Sequence, residues 1–383
     1  MARIKDVIGF IIFVCFYMLL FCTLPVQAEI KAGEELVLEK YEKALVLEVN
    51  DASSTPEAQE SMFTEQIVKV KVMSGKYKGK VMEARNSLSG SKGWDLEVKP
   101  GDKVVLYMTE ENGKLAEVYI ADMARSSYLG YLALFFILSL VVIGGIKGFK
   151  SLVALGFTIL GIYKILLPAL MQGYSPVLVT VLVLIGVTFL TMFIIGGISR
   201  KSVAATLGTA GGVIVAGLIA MYIGDLAHLT GYATEESRML LYVDNFEVDM
   251  KGLLFAGIII GALGAVMDVA MSIASAVDEI KRANPGLAKA QLIGAGMNVG
   301  RDIMGTMANT LILAYTGGAL PLLLLFIAYN TPGIRIFNAE MIATEIVRAL
   351  AGSIGLIFCV PLTAFLAGIL AKEEKTVSYG KEF

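Results

Sequence analysis

Histidine and tryptophan each occur once in this 383-residue chain, cysteine three times and proline nine times, and charged residues make up only 17% of it. Each scarcity excludes something. A single histidine, His228, cannot build a histidine-based metal site. Cys15 and Cys22 lie in the first apolar run, which leaves Cys359 alone in the remainder, so a disulfide framework and a cysteine metal cluster are both excluded. No basic cluster points to nucleic acid, and the net charge of -2 singles out no partner. The glycine run "GTAGGVIVAG" (208–217) lacks the Lys-Ser/Thr ending of a phosphate-binding loop, so close helix packing is its better reading. No ATP-binding domain and no cofactor are implied. The shortage of charge is too deep for an ordinary soluble chain, about a quarter of which is charged.

What the chain has instead is apolar residues, 56% of it, unevenly placed. Arg3 and Lys5 precede an apolar run from Val7 to Leu24, and "PVQA" follows with small residues at Val26 and Ala28. Residues 1–28 therefore read as a signal peptide or an uncleaved anchor that delivers residue 29 outside the cytoplasm. Cys22 follows Phe21, a poor match to a lipoprotein site. Residues 29–125 are rich in Lys, Glu and Asp. Within them "KALVLEVN", "EQIVKVKVM", "GKVMEARN", "DKVVLYM" and "LAEVYIAD" alternate apolar with polar residues, and "SGKYKG", "KPGD" and "ENGK" supply turns. This predicts a small all-β, OB-like barrel. Its one tryptophan, Trp94, and sparse aromatics show no binding face, which favours a structural or docking module.

Residues 126–371 predict a polytopic membrane domain and 372–383 a cytoplasmic tail. A bilayer core takes about 20 helical residues, and about seven spans fit: 127–146, 151–170, 176–198, 203–224, 252–280, 291–328 and 341–371. The loops 147–150, 199–202 and 281–289 and the tail carry most of the positive charge, whereas the loop from Asp225 to Lys251 is acidic. The positive-inside rule places the basic loops and the C-terminus in the cytoplasm and the β domain outside, in a cell membrane. The leader independently demands the same orientation.

Two of these spans are unusual. In "GALGAVMDVAMSIASA" (261–276), Gly261, Gly264, Asp268, Ser272 and Ser275 share one helical face, while Leu263, Val266, Ile273 and Val277 lie elsewhere. A carboxylate facing lipid at mid-depth costs at least about 2.5 kcal/mol, so Asp268 should face protein or water. The next span is too long for a simple crossing and carries Gly294, Asn298, Arg301, Asp302, Gly305 and Asn309 on one face. It should break at Gly317-Gly318 or Pro321. The candidate lining of an ion or solute path is therefore Asp268, Ser272, Asn298, Arg301, Asp302 and Asn309, with a buried polar cavity expected between two antiparallel neighbours. The bland alternative has Asp268 paired with Arg301 or bonded to Ser and Asn as helix glue, and Arg301-Asp302 resting at the inner headgroups. Lys164 should snorkel outward, His228 should sit at an interface, and Glu345 should pair with Arg348.

"GALGAVMDVAMSIASA" and the later "GRDIMGTMANTLILAYTGGALPLLL" resemble the YibE/F-like membrane proteins of bacteria, and the resemblance covers nearly the whole chain after the leader. It implies an integral membrane protein with an extracytoplasmic N-terminal domain, described where at all as a transporter, and it brings no substrate or catalytic residue. Three functions compete. The first is a secondary transporter or channel for a small ion or solute. The second is a non-transporting assembly or sensor module with a membrane-protein partner, working through the exported barrel. The third, an intramembrane aspartyl enzyme, is disfavoured because the "GLGD" and "YD" motifs are absent. The expectation is that the chain is not an enzyme.

Overall fold

A computed structural model of the chain describes residues 38–51, 64–91, 93–111, 114–243 and 247–371. The expected leader (1–28) and tail (372–383) lie outside the described residues. The chain divides into two compact units, one within residues 27–139 and one holding residues 140–383.

The first unit is a closed five-stranded barrel. Its strands are β1 (Leu38–Asp51), β2 (Thr64–Val72), β3 (Val81–Leu88), β4 (Lys103–Glu111) and β5 (Lys114–Met123), in the order β1-β2-β3-β5-β4 with β1 also paired to β4. The long β1 makes closure possible. Its first half pairs with β4 (Ala44 opposite Val104) and its second with β2 (Val46 opposite Val70), with a bulge between Val46 and Glu48 turning it between the two. β3 and β5 form the one parallel contact, at Arg85 and Tyr119. This is the strand order of an OB-like barrel. Period-two alternation sends Ala44, Val46, Val68, Val70, Ala84, Val104, Leu106 and Met108 inward, all fully buried. The same alternation sends Glu110 inward, and only 2% of it is exposed. Lys40 (2.9 Å) and Lys76 (3.3 Å) neutralise it. The Lys40 ammonium first, with Tyr77 and Lys76, holds its carboxyl at about 2. Trp94 is 88% exposed and packs on nothing in the barrel core.

The second unit is helical. Helix α1 (Ser126–Gly161) enters it, followed by a π turn (Ile162–Leu166) and α2 (Leu167–Met171). Then come α3 (Pro176–Gly196), α4 (Arg200–Leu226), α5 (Glu235–Met239), α6 (Met250–Ala283), α7 (Lys289–Gly318), α8 (Leu320–Ala328), α9 (Gly333–Asn338) and α10 (Glu340–Leu370). Among the described residues five helices are long and apolar enough to cross a membrane, or six if the bent pair α7–α8 counts as one. The two expected spans 127–146 and 151–170 form a single helical stretch, Ser126–Met171. That stretch leaves helical geometry at Gly145 (φ 55°, ψ -136°). A straight helix would hold residues 140 and 148 about 12 Å apart. Here a Cβ at Gly148 would overlap the Leu140 carbonyl, so the chain bends sharply two residues before the basic "KGFK". The expected break in the long span falls at Ala319, with Pro321 in the first turn of α8 and a 57° bend.

α6 is the centre of this unit and packs against α3, α4, α7 and α10. Val266, Val269, Ala270, Ile273 and Val277 form its buried side, with Leu356, Cys359 and Val360 of α10 and Leu184 of α3 in the same core. The glycine run of α4 lets α10 come into backbone contact: a Cβ on Gly212 would lie 2.8 Å from both Cys359 Cβ and the Gly355 carbonyl. This is small-residue packing, as the sequence suggests.

Candidate functional site

The polar faces of α6 and α7 are set by what their other faces do. On α6 the apolar residues are consumed by four neighbouring helices, which turns Gly261, Gly264, Asp268 and Ser272 outward, all exposed, with Ser275 half-buried. On α7 the buried residues are Leu292, Gly296, Gly300 and Leu311. Gly294, Asn298, Arg301, Asp302, Gly305 and Asn309 occupy the other side and are exposed.

The two helices are antiparallel neighbours joined by the short turn 284–288, as expected. Val277 stands against Gly296 and Ile273 against Gly300. Continued at helical rise, that register sets Ser272 level with Arg301, Asp268 level with Gly305, and Gly264 level with Asn309. Asp268 and Arg301 are thus about 6 Å apart in height.

The expected buried cavity around these residues is not formed by the chain itself. Asp268, Ser272, Asn298, Arg301, Asp302 and Asn309 lie on the outer surface of the helical unit. Among the described residues none of the six makes a side-chain hydrogen bond or ion pair, so the Asp268–Arg301 pair is absent. The reason is competition for the core. Large apolar side chains gain more from burial than a polar stripe does, and enough apolar surface exists on α3, α4 and α10 to enclose the opposite face of α6.

Other expectations fare differently. Glu345 and Arg348 do pair, at 2.6 Å, and the Arg348 guanidinium lies 6.0 Å from the centre of the Tyr315 ring. Tyr315, Thr344, Glu345 and Arg348 share a cavity of about 360 Å³ with Ala233 and Thr234. Lys164 leans over the Tyr163 ring, 5.3 Å away. His228 takes a left-handed backbone (φ 52°) just after α4.

Sequence reasoning missed a set of buried hydroxyls. Thr180 and Thr191 of α3, Thr209 of α4 and Thr344 and Ser353 of α10 are buried with no hydrogen-bond partner among the described residues. The spacing of Thr180, Thr188 and Thr191 along one face of an apolar helix was the available signal.

A small β-barrel followed by several apolar helices of membrane-crossing length defines a membrane protein with an appended barrel domain. The chain matches the YibE/F-like protein family over residues 132–373 and the YibE/F family N-terminal domain over residues 37–123. It belongs to the YibE/F family. Neither a curated protein nor a solved structure matches it.

Proposed function

We propose that the chain is a secondary transporter or channel that passes a small ion or polar solute along the shared polar face of α6 and α7. The observation that carries this reading is that face itself. Three charged and three amide or hydroxyl side chains stand without a hydrogen-bond or ion-pair partner among the described residues, on helices otherwise built for a membrane. Exposed to lipid, each charge would cost at least about 2.5 kcal/mol, so water or a second membrane-protein surface must cover them. The path then runs between this chain and its cover rather than through the chain. Asp268 and Asp302 suit a cation or proton, and Arg301 suits an anion. The break at Ala319 supports the reading, since bent or broken helices at membrane depth belong where they line a cavity or meet protein. In this reading the chain is not an enzyme and needs no cofactor.

The topology that fits is seven crossings in a cell membrane. The stretch Ser126–Met171 measures about 69 Å at helical rise, roughly twice the hydrocarbon core, so the bend at Gly145 divides it into two. α7 and α8 cross once together. The barrel and the loop 225–251 lie outside, while the loops near 147–150, 199–202 and 281–289 and the C-terminus lie in the cytoplasm.

Asp268→Asn tests the path. Because Asp268 has no partner to lose among the described residues, the folded amount in the membrane should stay at wild-type level. Uptake, scored across ions and small solutes in cells lacking and overproducing the protein, should fall to that of the deletion. Undiminished uptake by Asp268→Asn refutes the path.

The openness of the face also favours a second reading: a non-transporting assembly or sensor module that binds a membrane-protein partner there and works through the exported barrel. In that case Asp268→Asn abolishes co-purification of a partner while no solute flux depends on the protein.

A further inference from the structure

A cavity of about 610 Å³ in the helical unit lies away from the polar face, where α4 begins and α6 and α10 end. Arg200, Lys201, Lys281 and Arg282 line it together with one carboxylate, Asp278. These residues come from two separate segments of the chain. The positive-inside tendency accounts for cations in such loops, but not for their convergence on one hollow.

The lining sets four cations against the single carboxylate of Asp278, and the local partners leave a net positive charge. Arg282 forms an ion pair with Asp278 at 2.8 Å and a looser one, at 4.0 Å, with Glu279, which is not part of the lining. Lys281 donates to the carbonyls of Pro285 (2.7 Å) and Leu287 (3.1 Å), and Arg200 to the terminal carbonyl of α10, Leu370 (3.1 Å). Those acceptors are neutral and fix the side chains without cancelling them. Lys201 has no partner among the described residues. The first turn of α4 adds backbone N–H groups, of which Ser199 caps only that of Ser202. The ends of α6 and α10 oppose this with carbonyls, and Arg200 has already engaged the last one of α10.

We propose that this hollow binds a phosphate-type anion, a phosphomonoester or phosphodiester. Two guanidinium forks and two ammonium groups against one carboxylate match its charge and its several acceptor oxygens. The volume is that of a small-ligand pocket and exceeds the needs of a bare ion. The anion is either the headgroup of an acidic lipid or a soluble phosphorylated solute. The chemistry is shared, and the experiment separates the sources.

The test uses the full-length protein in neutral detergent. Native mass spectrometry compares retention of phosphatidylglycerol with phosphatidylcholine, and calorimetry at constant ionic strength titrates inorganic phosphate. Selective retention of phosphatidylglycerol without phosphate binding assigns a lipid headgroup, and phosphate binding without lipid selectivity assigns a soluble anion. Binding of both assigns a headgroup site open to solution. Lys201→Gln, which breaks no hydrogen bond or ion pair among the described residues, should weaken the bound probe by roughly tenfold. Asp278→Asn should tighten it, and Arg335→Gln on α9 should leave it unchanged. The proposal falls if neither probe binds, if Lys201→Gln binds as tightly as the wild type, or if Arg335→Gln weakens binding as much.

Discussion

The contact between α4 and α10 offers a direct test of how the helical unit is held together. A Cβ added to Gly212 would meet Cys359 Cβ, the Gly355 carbonyl oxygen and Val266 Cγ1, each at 2.8 Å. An ordinary carbon contact needs about 3.5 Å, so the helices must part by at least about half an ångström. Val266 can turn, but the Gly355 carbonyl is backbone and moves only with its helix. Such overpacking costs about 1–3 kcal/mol. Alanine recovers up to about 1 kcal/mol of helix propensity relative to glycine. The control is Gly156→Ala in α1, where nothing lies within 4 Å of the new Cβ, so only the propensity gain applies. The difference between the two variants isolates the packing penalty, expected at about 1–3 kcal/mol against Gly212→Ala. Gly355→Ala should behave similarly, because its Cβ would meet Ala216 Cβ and the Gly212 carbonyl at 2.6 Å. The double variant should lose less than the sum, since helices already parted by one methyl accommodate the second. The assay is the melting temperature of the full-length protein in detergent, read as monodisperse protein after heating. If Gly212→Ala melts at or above Gly156→Ala, backbone contact between α4 and α10 does not hold this unit together.

Residues 38–123 expressed alone should be soluble and strand-rich, and a helical or aggregated product by circular dichroism would deny an independent barrel. The carboxyl of Glu110 is lowered from 4.5 to about 2 in the folded barrel. Its contribution is therefore fully present above the unfolded value and is lost as pH falls from 4.5 towards 2. Chemical denaturation across that range should show stability dropping, and Glu110→Gln should flatten the drop; an unchanged pH slope in the variant would assign the acid sensitivity elsewhere. A reporter active only outside the cytoplasm should work when fused within the barrel or at residues 226–248 and fail after Arg200, after Pro285 and at Phe383. Activity at Phe383 would overturn the seven-crossing topology.

The sequence alone determined whatever depends on a local period or a local breaker. The five strands follow from period-two alternation, and even the inward Glu110 follows from counting alternate positions after Val104. The bend before Pro321, the close approach of α4 through its glycines and the Glu345–Arg348 pair are likewise written in residues within a turn or two of one another. Helical periodicity also put Asp268 with Gly264 and Ser272, and Arg301 with Asn298 and Asn309. What it could not supply is the rotation of each helix about its own axis, because that depends on how much apolar surface the neighbouring helices offer. Four helices enclose the apolar side of α6, and the polar side is thereby left outermost; only the packed structure decides this. The basic hollow has the same origin. Arg200 and Lys201 stand about 80 residues before Lys281 and Arg282 in the chain. No local pattern joins them, and they meet only because α4 begins where α6 and α10 end.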